Sequence, residues 1–395
     1  MEKITFVIPS RNNLEFLQLA YKSIRNLTIK HEVLVLNDAS TDGTQEWIDS
    51  LNDKDLITYH NPGPERIGIV GMFDKGIEMA RTDIIFAFHA DMVAGPNLDE
   101  YVLKYLKRGT VVSATRVEPP LHPDGPEKML VDFGVEVEDF DINKFNYWVN
   151  NGYKPKHDTL VTEGIFAPWC MYKDDFLAIG GHDELFAPQS KEDSDLFNRF
   201  VLNSYKVLQT WEGLVYHFTS RGSRFNKHAG GAAGKNSEEW IYTTNKNMRN
   251  FIRKWGQPVK HDPLMKPIIP SKYNICFKVK NSTLDFLNAL EPWCDVYYGD
   301  GEWFIYDHYI KKEQTSTTID LKEKIKPLDD NLYNYNYGVV IDIDQSNFTK
   351  EDFHMIQLLP EILDESGEIG EFELGHLKIK INNLETTEHT LIQCK

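Results

Sequence analysis

Asp83-Ile84-Ile85-Phe86-Ala87-Phe88-His89-Ala90-Asp91-Met92-Val93-Ala94-Gly95 is the stretch around which this 395-residue chain is organised. Ile84 to Phe88 are apolar and read as a buried strand. The strand stops at His89-Ala90-Asp91, where two metal-capable side chains stand one residue apart. Alternate residues of an extended chain share a side, so both can face one cation and the phosphates it carries. Open α/β sheets place ligands at the carboxyl ends of their strands. Standing alone, the triplet would be read as a polar strand end entering a loop.

Its neighbours change that. Ile4 to Ile8 is a β-rich run closed by Pro9, and Asn12 or Asn13 can cap the helix that follows, with Leu17, Ala20, Ile24 and Leu27 at helical spacing. A second strand, Glu32 to Leu36, leads into Asn37-Asp38-Ala39-Ser40-Thr41-Asp42-Gly43-Thr44, a tight-turn composition, and then into a short helix to Leu51. A further helix carries Ile69, Met72, Phe73, Gly76, Ile77 and Ala80 on one face. This alternation implies βαβ units and a mostly parallel sheet. It puts Asp38 and His89/Asp91 on one edge, where a nucleotide-sized crevice is expected.

Downstream, Thr110 to Thr115 reads as a strand and Pro119 to Lys156 as an irregular excursion. A strand runs through Ile165, Ala167, Trp169 and Met171. Gly180-Gly181-His182-Asp183-Glu184 precedes Lys191-Glu192-Asp193-Ser194-Asp195, which opens a helix to about Leu202. Acids also suit a helix's first turn for electrostatic reasons alone. Two short strands are expected at Tyr205–Thr210 and Leu214–Phe218, the second containing His217, followed by a mobile loop from Arg221 to Gly234. Pro258, Pro263, Pro267 and Pro270 mark a linker over 258–270. This divides the chain into a domain at 1–257 and a small α/β domain at 271–395, possessing two βαβ-like halves and no catalytic constellation of its own.

Bulk properties narrow the function. Lys and Arg total 43 against 60 Asp and Glu, a formal net charge of −17, which disfavours loose electrostatic binding to nucleic acid or an anionic membrane. Cys170, Cys276, Cys294 and Cys394 form no C-x-x-C pair and suit neither a disulfide framework nor a zinc site. The chain opens directly into a strand, and no apolar run approaches the ~20 residues of a membrane helix. A cytoplasmic protein with reduced thiols is the expectation.

Taken in order, Ile4–Pro9, Asn37–Thr44, His89-Ala90-Asp91, Gly180–Glu184 and Glu192-Asp193 resemble family 2 glycosyltransferases over about residues 1–225. The resemblance implies the GT-A fold, a nucleotide-diphosphate sugar donor, a divalent cation and inversion at the anomeric carbon. It places Pro9 in a nucleotide-contacting turn after the first strand. Asp38 falls at the nucleobase, most often uracil, although a turn-forming Asp is the plain alternative. Arg11, Arg66, Asp74 and Ala90 are carried to the nucleotide site, Asp74 standing where the family often has Asn. Asp91 matches the last acid of the metal-binding D-x-D motif, and the chain departs from that motif at His89, which replaces the first acid. His217 resembles a C-terminal metal ligand, or else is a core histidine. Asp193 matches the catalytic base, with Glu192 as second choice. Trp169 is placed against an acceptor sugar, a core aromatic being the alternative.

These residues suit the chemistry. A cation can stabilise charge growing on a departing diphosphate, and a carboxylate across the sugar can take the acceptor's proton. Mn²⁺ or Mg²⁺ is implied, with Mn²⁺ favoured by the imidazole donors, and a UDP-sugar is the favoured donor. Two other readings stay open: a carbohydrate-binding or scaffolding protein without catalysis, motivated by His89, and a sugar nucleotidyltransferase. The latter normally has a glycine-rich loop where this chain reads Pro9-Ser10-Arg11-Asn12-Asn13. The acceptor is a carbohydrate or another hydroxyl, with nucleic acid disfavoured by the net charge but open. The C-terminal domain either selects the acceptor or makes a homo-oligomer.

Overall fold

β-branched and aromatic residues build the central strands of the first sheet. Its strands are β1 (Ile4–Ser10), β2 (Glu32–Asp38), β3 (Leu56–Asn61), β4 (Ile84–Ala87), β5 (Met92–Ala94), β6 (Thr110–Glu118), β7 (Met129–Leu130), β8 (Val161–Glu163), β9 (Trp169–Tyr172) and β10 (Lys206–His217). The computed structural model describes residues 2–328 and 337–393. Every residue of β1, β2 and β4 is buried, as expected for parallel strands covered on both faces.

The strand order is β3-β2-β1-β4-β9-β6-β10-β5, with β7 beside β6 and β8 beside β10. β1, β2, β3 and β4 are mutually parallel, as are β6 and β10. β9 and β5 run antiparallel to their neighbours. Helices cover both faces. On one, α1 (Leu14–Arg25) and α2 (Thr44–Ser50) pack Leu17, Ala20, Ile24 and Ile48 against Phe6, Ile8, Val33 and Phe86. On the other, α3 (Ile69–Met79) sets Met72, Phe73 and Ile77 against Val7, Leu34, Leu36 and Ile85. The fold class is therefore the expected one, α/β with a mostly parallel mixed central sheet and a second sheet.

Several details differ from the sequence reading. β1 does not stop before Pro9 but continues to Ser10, with Pro9 opposite Leu36 of β2. Pairing with β4 ends at Val7 opposite Ala87, so the missing N–H of Pro9 breaks no ladder on that side. β3 was not anticipated, because its half-exposed edge sequence lacks an apolar run. The two strands expected at 205–210 and 214–218 are one, β10, with a register shift between Thr210 and Leu214. Within the expected irregular excursion lie α4's successor elements: after α4 (Leu98–Tyr105) comes α5 (Ile142–Asn151), whose N-terminus is capped by Asp141 accepting from Lys144 N.

Three more helices complete this part of the chain: α6 (Lys173–Ala178), α7 (Glu192–Leu202) and α8 (Glu238–Trp255). The chain divides into two units, the first being Met1–Thr244, Lys260–Ile268 and Gln393–Lys395, and the second Asn245–Val259 and Ile269–Ile392. The boundary thus falls inside α8. Most of the proline-rich segment expected as a tether belongs with the first unit, where Ile165 N donates to Met265 O at 3.4 Å.

The second unit has a sheet of order β13-β12-β11-β14-β16-β15, from β11 (Ile275–Lys280), β12 (Val296–Gly299), β13 (Ile325–Pro327), β14 (Val339–Asp344), β15 (Gly370–Leu374) and β16 (Leu377–Ile381). β11, β12, β13 and β14 are parallel. The second expected βαβ half is not one, because the unanticipated β15 forms a hairpin with β16 and makes β16 antiparallel to β14. A fully buried Glu291 accepts from Arg253 Nη2 at 2.7 Å and Tyr309 Oη at 2.9 Å, and Lys324 Nζ lies 3.0 Å away. Burial alone would raise its pKa, but Lys324 and Arg253 hold it well below the usual carboxylate range.

Cys170, Cys276 and Cys294 are free, buried thiols, and Cys394 lies outside the described residues. Among those residues, no helix is long and apolar enough to cross a membrane.

Gly76 sets how closely α3 sits on the sheet. A Cβ there would lie 2.4 Å from Val7 Cγ1 and 2.8 Å from Leu36 Cδ1. Alanine gains ~1 kcal/mol over glycine in helix propensity, but overpacking against a stiff β-branched neighbour costs about 1–3 kcal/mol. Gly76→Ala should therefore lower the urea midpoint; an unchanged or higher midpoint would show that α3 can shift freely.

Candidate active site

The loops leaving the carboxyl edge of the first sheet are held in unusual conformations. Asn12, Ala39, Ser190, Lys191, Thr219 and Ser220 all have positive φ, and they are six of the ten such non-glycine residues among those described. A β-branched residue such as Thr219 rarely adopts this geometry, and such strain concentrates at functional sites. At the end of β1, the buried Ser10 Oγ, Arg11 Nε and Asn13 Nδ2 have no hydrogen-bond partner. Buried polar atoms are nearly always paired, so three together mark a surface shaped for a polar ligand. A cavity of about 610 Å³ opens beside it, lined by Asn12, Asn13, Asp42, Arg221, Lys227 and His228 among others. The size suits a small-molecule site.

At the centre of the edge stands Asp91, only 4% exposed. The antiparallel pairing of β5 with β10 sets Met92 opposite His217 and so brings Asp91 beside that histidine. Asp91 Oδ2 accepts from Arg221 N at 2.6 Å and lies 3.8 Å from His217 Nε2. Arg221 is itself buried, with its guanidinium on Glu136, so the start of the segment expected to be mobile is pinned. On its other nitrogen, His217 Nδ1 lies 2.9 Å from Glu118 Oε1. Glu118 also accepts from Arg116 Nη1 at 2.8 Å and Lys128 Nζ at 2.9 Å. Burial pushes its pKa up, but Arg116, His217 and Lys128 together hold it well below the usual carboxylate range.

His89 makes a tilted ring contact with Phe73 at 5.5 Å. Burial lowers its pKa against the opposing pull of Asp91 and Asp193, and His217 lowers it further. The ring is thus neutral near pH 7, the form able to ligate a metal.

Asp193 and Glu192 open α7, which Lys191 enters with a left-handed φ of 73°. Burial, then the charge of Asp193, pushes Glu192 up to about 8, and its Oε2 is buried without a partner. Glu192 therefore holds a proton at neutral pH.

On the nucleotide side, Asp38 Oδ1 accepts from Ile67 N and Asn61 Nδ2, both at 2.8 Å, and Oδ2 accepts from Gly68 N at 2.7 Å. A carboxylate has about four acceptor sites, so Oδ2 keeps one. Arg11 and Arg66 share one partner, Glu239 from the first turn of α8; Arg11 Nη1 lies 3.6 Å from it, and Arg66 makes the closer contact. Four expected positions make contacts other than those expected. Asp74 is engaged by His182, whose N and Nδ1 lie 3.1 and 2.7 Å from its Oδ1, and so anchors the Gly180-Gly181-His182 turn. Ala90 packs its side chain into the core on the α1 face. Trp169, 1% exposed, lies among Phe176, Phe200 and other core residues. It offers no ring face to a sugar, so the core-aromatic alternative holds and the acceptor role does not. Pro9 lies inside β1 rather than in a turn after it.

Glu118 and Glu239 were missed. Ending the β6 reading at Thr115 left Glu118 three residues inside an apparent loop; extending Val117 as a strand residue would have placed an acid at the same edge. Glu239 carried no sequence signal, because its role depends on where α8 starts.

Among the described residues, no three His, Cys, Asp or Glu side chains form a metal cage. Mg²⁺-type sites commonly take one or two protein ligands together with substrate phosphates, and Asp91 and His217, a carboxylate and an imidazole 3.8 Å apart, fit that arrangement.

The raised Glu192 pKa has a definite sign. A carboxyl whose folded-state pKa lies above its unfolded value stabilises the fold below about pH 4.5 and loses that contribution as pH rises through about 8. Glu192→Gln, which mimics the protonated form, should match the wild-type thermal midpoint near pH 4.5 and exceed it near pH 9. Parallel midpoints across that range would contradict the assignment.

Comparison with known proteins agrees with the motif order. Residues 5–161 match the family model "Glycosyl transferase family 2". The undecaprenyl-phosphate mannosyltransferase of Micrococcus luteus is 26% identical over 121 residues, 30% of this chain and 49% of that protein. The chain thus spans about half the length of the curated relative it matches. Two solved structures overlap it: GalNAc-T7 with UDP, GalNAc and Mn²⁺ (TM-score 0.45, 12% identity, covering 65% of this chain and 51% of that one), and the mannosyltransferase PcManGT from Pyrobaculum calidifontis with GDP-Man and Mn²⁺ (TM-score 0.43, 15% identity, 68% of each). Residues 5–161 of this chain are thus similar to glycosyl transferase family 2.

Proposed function

We propose that the chain is an inverting glycosyltransferase that moves a sugar from a nucleotide-diphosphate donor, a UDP-sugar by preference, to an acceptor hydroxyl in a single displacement. One observation carries this reading: at the carboxyl edge of the sheet the buried Asp91 accepts from Arg221 N at 2.6 Å and stands 3.8 Å from Nε2 of His217, the last residue of β10. The unpartnered Ser10, Arg11 and Asn13 atoms beside them support a polar ligand there.

In this reading Asp91 and His217, with His89 adjacent, would hold a divalent cation, Mn²⁺ in preference to Mg²⁺ because of the imidazole donors. When bound, such a cation neutralises charge on the leaving diphosphate. Arg11 and Arg66 supply fixed positive charge near the same phosphates, and the remaining acceptor of Asp38 Oδ2 faces the nucleobase. Asp193 takes the proton from the acceptor hydroxyl. Its neighbour Glu192, pushed up to about 8 by burial and by the charge of Asp193, holds its proton at neutral pH. One base and one direct displacement invert the anomeric carbon.

Two measurements check this. With a UDP-sugar and Mn²⁺, Asp193→Ala should lower the rate of transfer or donor hydrolysis by about 10²–10⁴-fold and leave UDP affinity intact, whereas Asp91→Ala should abolish the Mn²⁺-dependent part of UDP binding. Full activity in both variants would exclude the scheme. Glu239 competes with the donor for Arg11 and Arg66 across a partly exposed contact, for which ~0.5–1 kcal/mol is appropriate. Glu239→Ala should therefore tighten UDP binding about two- to fivefold by calorimetry; weaker binding would make Glu239 a ligand-contacting group instead.

A further inference from the structure

We propose that Glu118 is a positioning residue, fixing His217 in the tautomer protonated at Nδ1 so that Nε2 presents its lone pair toward the space beside Asp91. The inference rests on the reading of Asp91 and His217 as cation ligands and adds a group that reading does not contain.

Two observations on opposite sides of the ring determine the tautomer. On one side, the Glu118 carboxylate is 1% exposed and meets Arg116 Nη1 at 2.8 Å and Lys128 Nζ at 2.9 Å. Two buried cations keep it ionised, and an ionised carboxylate only accepts. The contact with His217 Nδ1 at 2.9 Å therefore requires a proton on that nitrogen. On the other side, the backbone N–H of Ser220 points at Nε2 from 3.4 Å. An N–H can only donate, so Nε2 carries a lone pair. The strained backbone at Thr219 and Ser220, with φ of 75° and 58°, turns the chain so that this N–H faces the ring. Asp91 Oδ2, held by Arg221 N at 2.6 Å, stands 3.8 Å from Nε2. A cation beside Asp91 would take the Nε2 lone pair over from the long Ser220 contact.

A carboxylate behind a ligating histidine is a recurrent device: it sets the tautomer, holds the ring plane and raises the basicity of the ligating nitrogen, and its loss weakens metal affinity by about 10–100-fold. Glu118 fits that role better than simple neutralisation of Arg116 and Lys128, which would need no contact with His217.

The test has two parts. In ¹⁵N-histidine spectra of the wild-type protein near pH 7.5, with His217 identified by its loss in His217→Gln, the signal should show Nδ1 protonated and Nε2 bare. By Mn²⁺ paramagnetic resonance in the presence of UDP, Glu118→Gln should bind Mn²⁺ about 10–100-fold more weakly than the wild type. Because Glu118→Gln leaves two buried cations less compensated and can fail to fold, the wild-type spectrum decides independently. A proton on Nε2, or unchanged Mn²⁺ affinity in folded Glu118→Gln, would overturn the positioning role alone. Absence of any Mn²⁺ binding by wild type with UDP would overturn the cation reading and this inference with it.

Discussion

A carboxylate withdrawn from water at the end of a strand must be compensated, and the way Asp91 is compensated shapes everything around it. Leaving a buried charge unpaired costs several kcal/mol. Here the partners come from residues far along the chain: the backbone N–H of Arg221 and, at longer range, His217. Both are delivered by β10, which pairs with β5 directly after Asp91. The strand that closes the sheet is thus also the strand that completes the site. The charges of Asp91 and of Asp193, at the start of α7, both oppose the effect of burial on His89, so acids from two elements bear on one imidazole.

Such a gathering opposes stability. Like charges, left-handed residues at Asn12, Ala39, Ser190, Lys191, Thr219 and Ser220, and unpartnered polar atoms at Ser10, Arg11 and Asn13 all accumulate on one side of the sheet. The continuous apolar layers on its two faces offset them, with Phe6, Ile8 and Phe86 toward α1 and Val7, Leu34 and Ile85 toward α3. Glu291 in the second unit is the instructive contrast. It is also a buried carboxylate, yet Arg253, Lys324 and Tyr309 satisfy it completely, and nothing around it is left waiting for a ligand. Burial of charge marks a candidate site only where partners are missing.

Much of this was legible in the sequence, for identifiable reasons. The parallel core strands are continuous apolar runs, so β1, β2 and β4 and the edge they share could be read directly, and with them Asp38, His89 and Asp91. Asp193 and Glu192 came from the resemblance to family 2 glycosyltransferases, a helix's first turn being their plain alternative, and they do open α7. What failed was local and physical. A half-exposed edge strand, β3, has no apolar run to betray it. A register shift split β10 into two apparent strands. The alternation around Trp169 fits a site-facing residue and a core residue equally well, and burial decided for the core. Asp74 looked like a ligand because its actual partner, the backbone and ring of His182, lies 108 residues away. Glu118 needed β6 to be read three residues further, and Glu239 meets its partners only through tertiary structure.

The most direct test of the central claim is anomalous diffraction at the manganese edge from crystals of the wild-type protein grown with UDP and Mn²⁺. The account requires a single strong peak within bonding reach of Asp91 Oδ2 and His217 Nε2, about 2.0–2.3 Å from each, with the diphosphate against it and Asp193 across the space the sugar would fill. A nucleotide bound with its metal away from Asp91 and His217, or bound at a site Asp193 does not face, would contradict it.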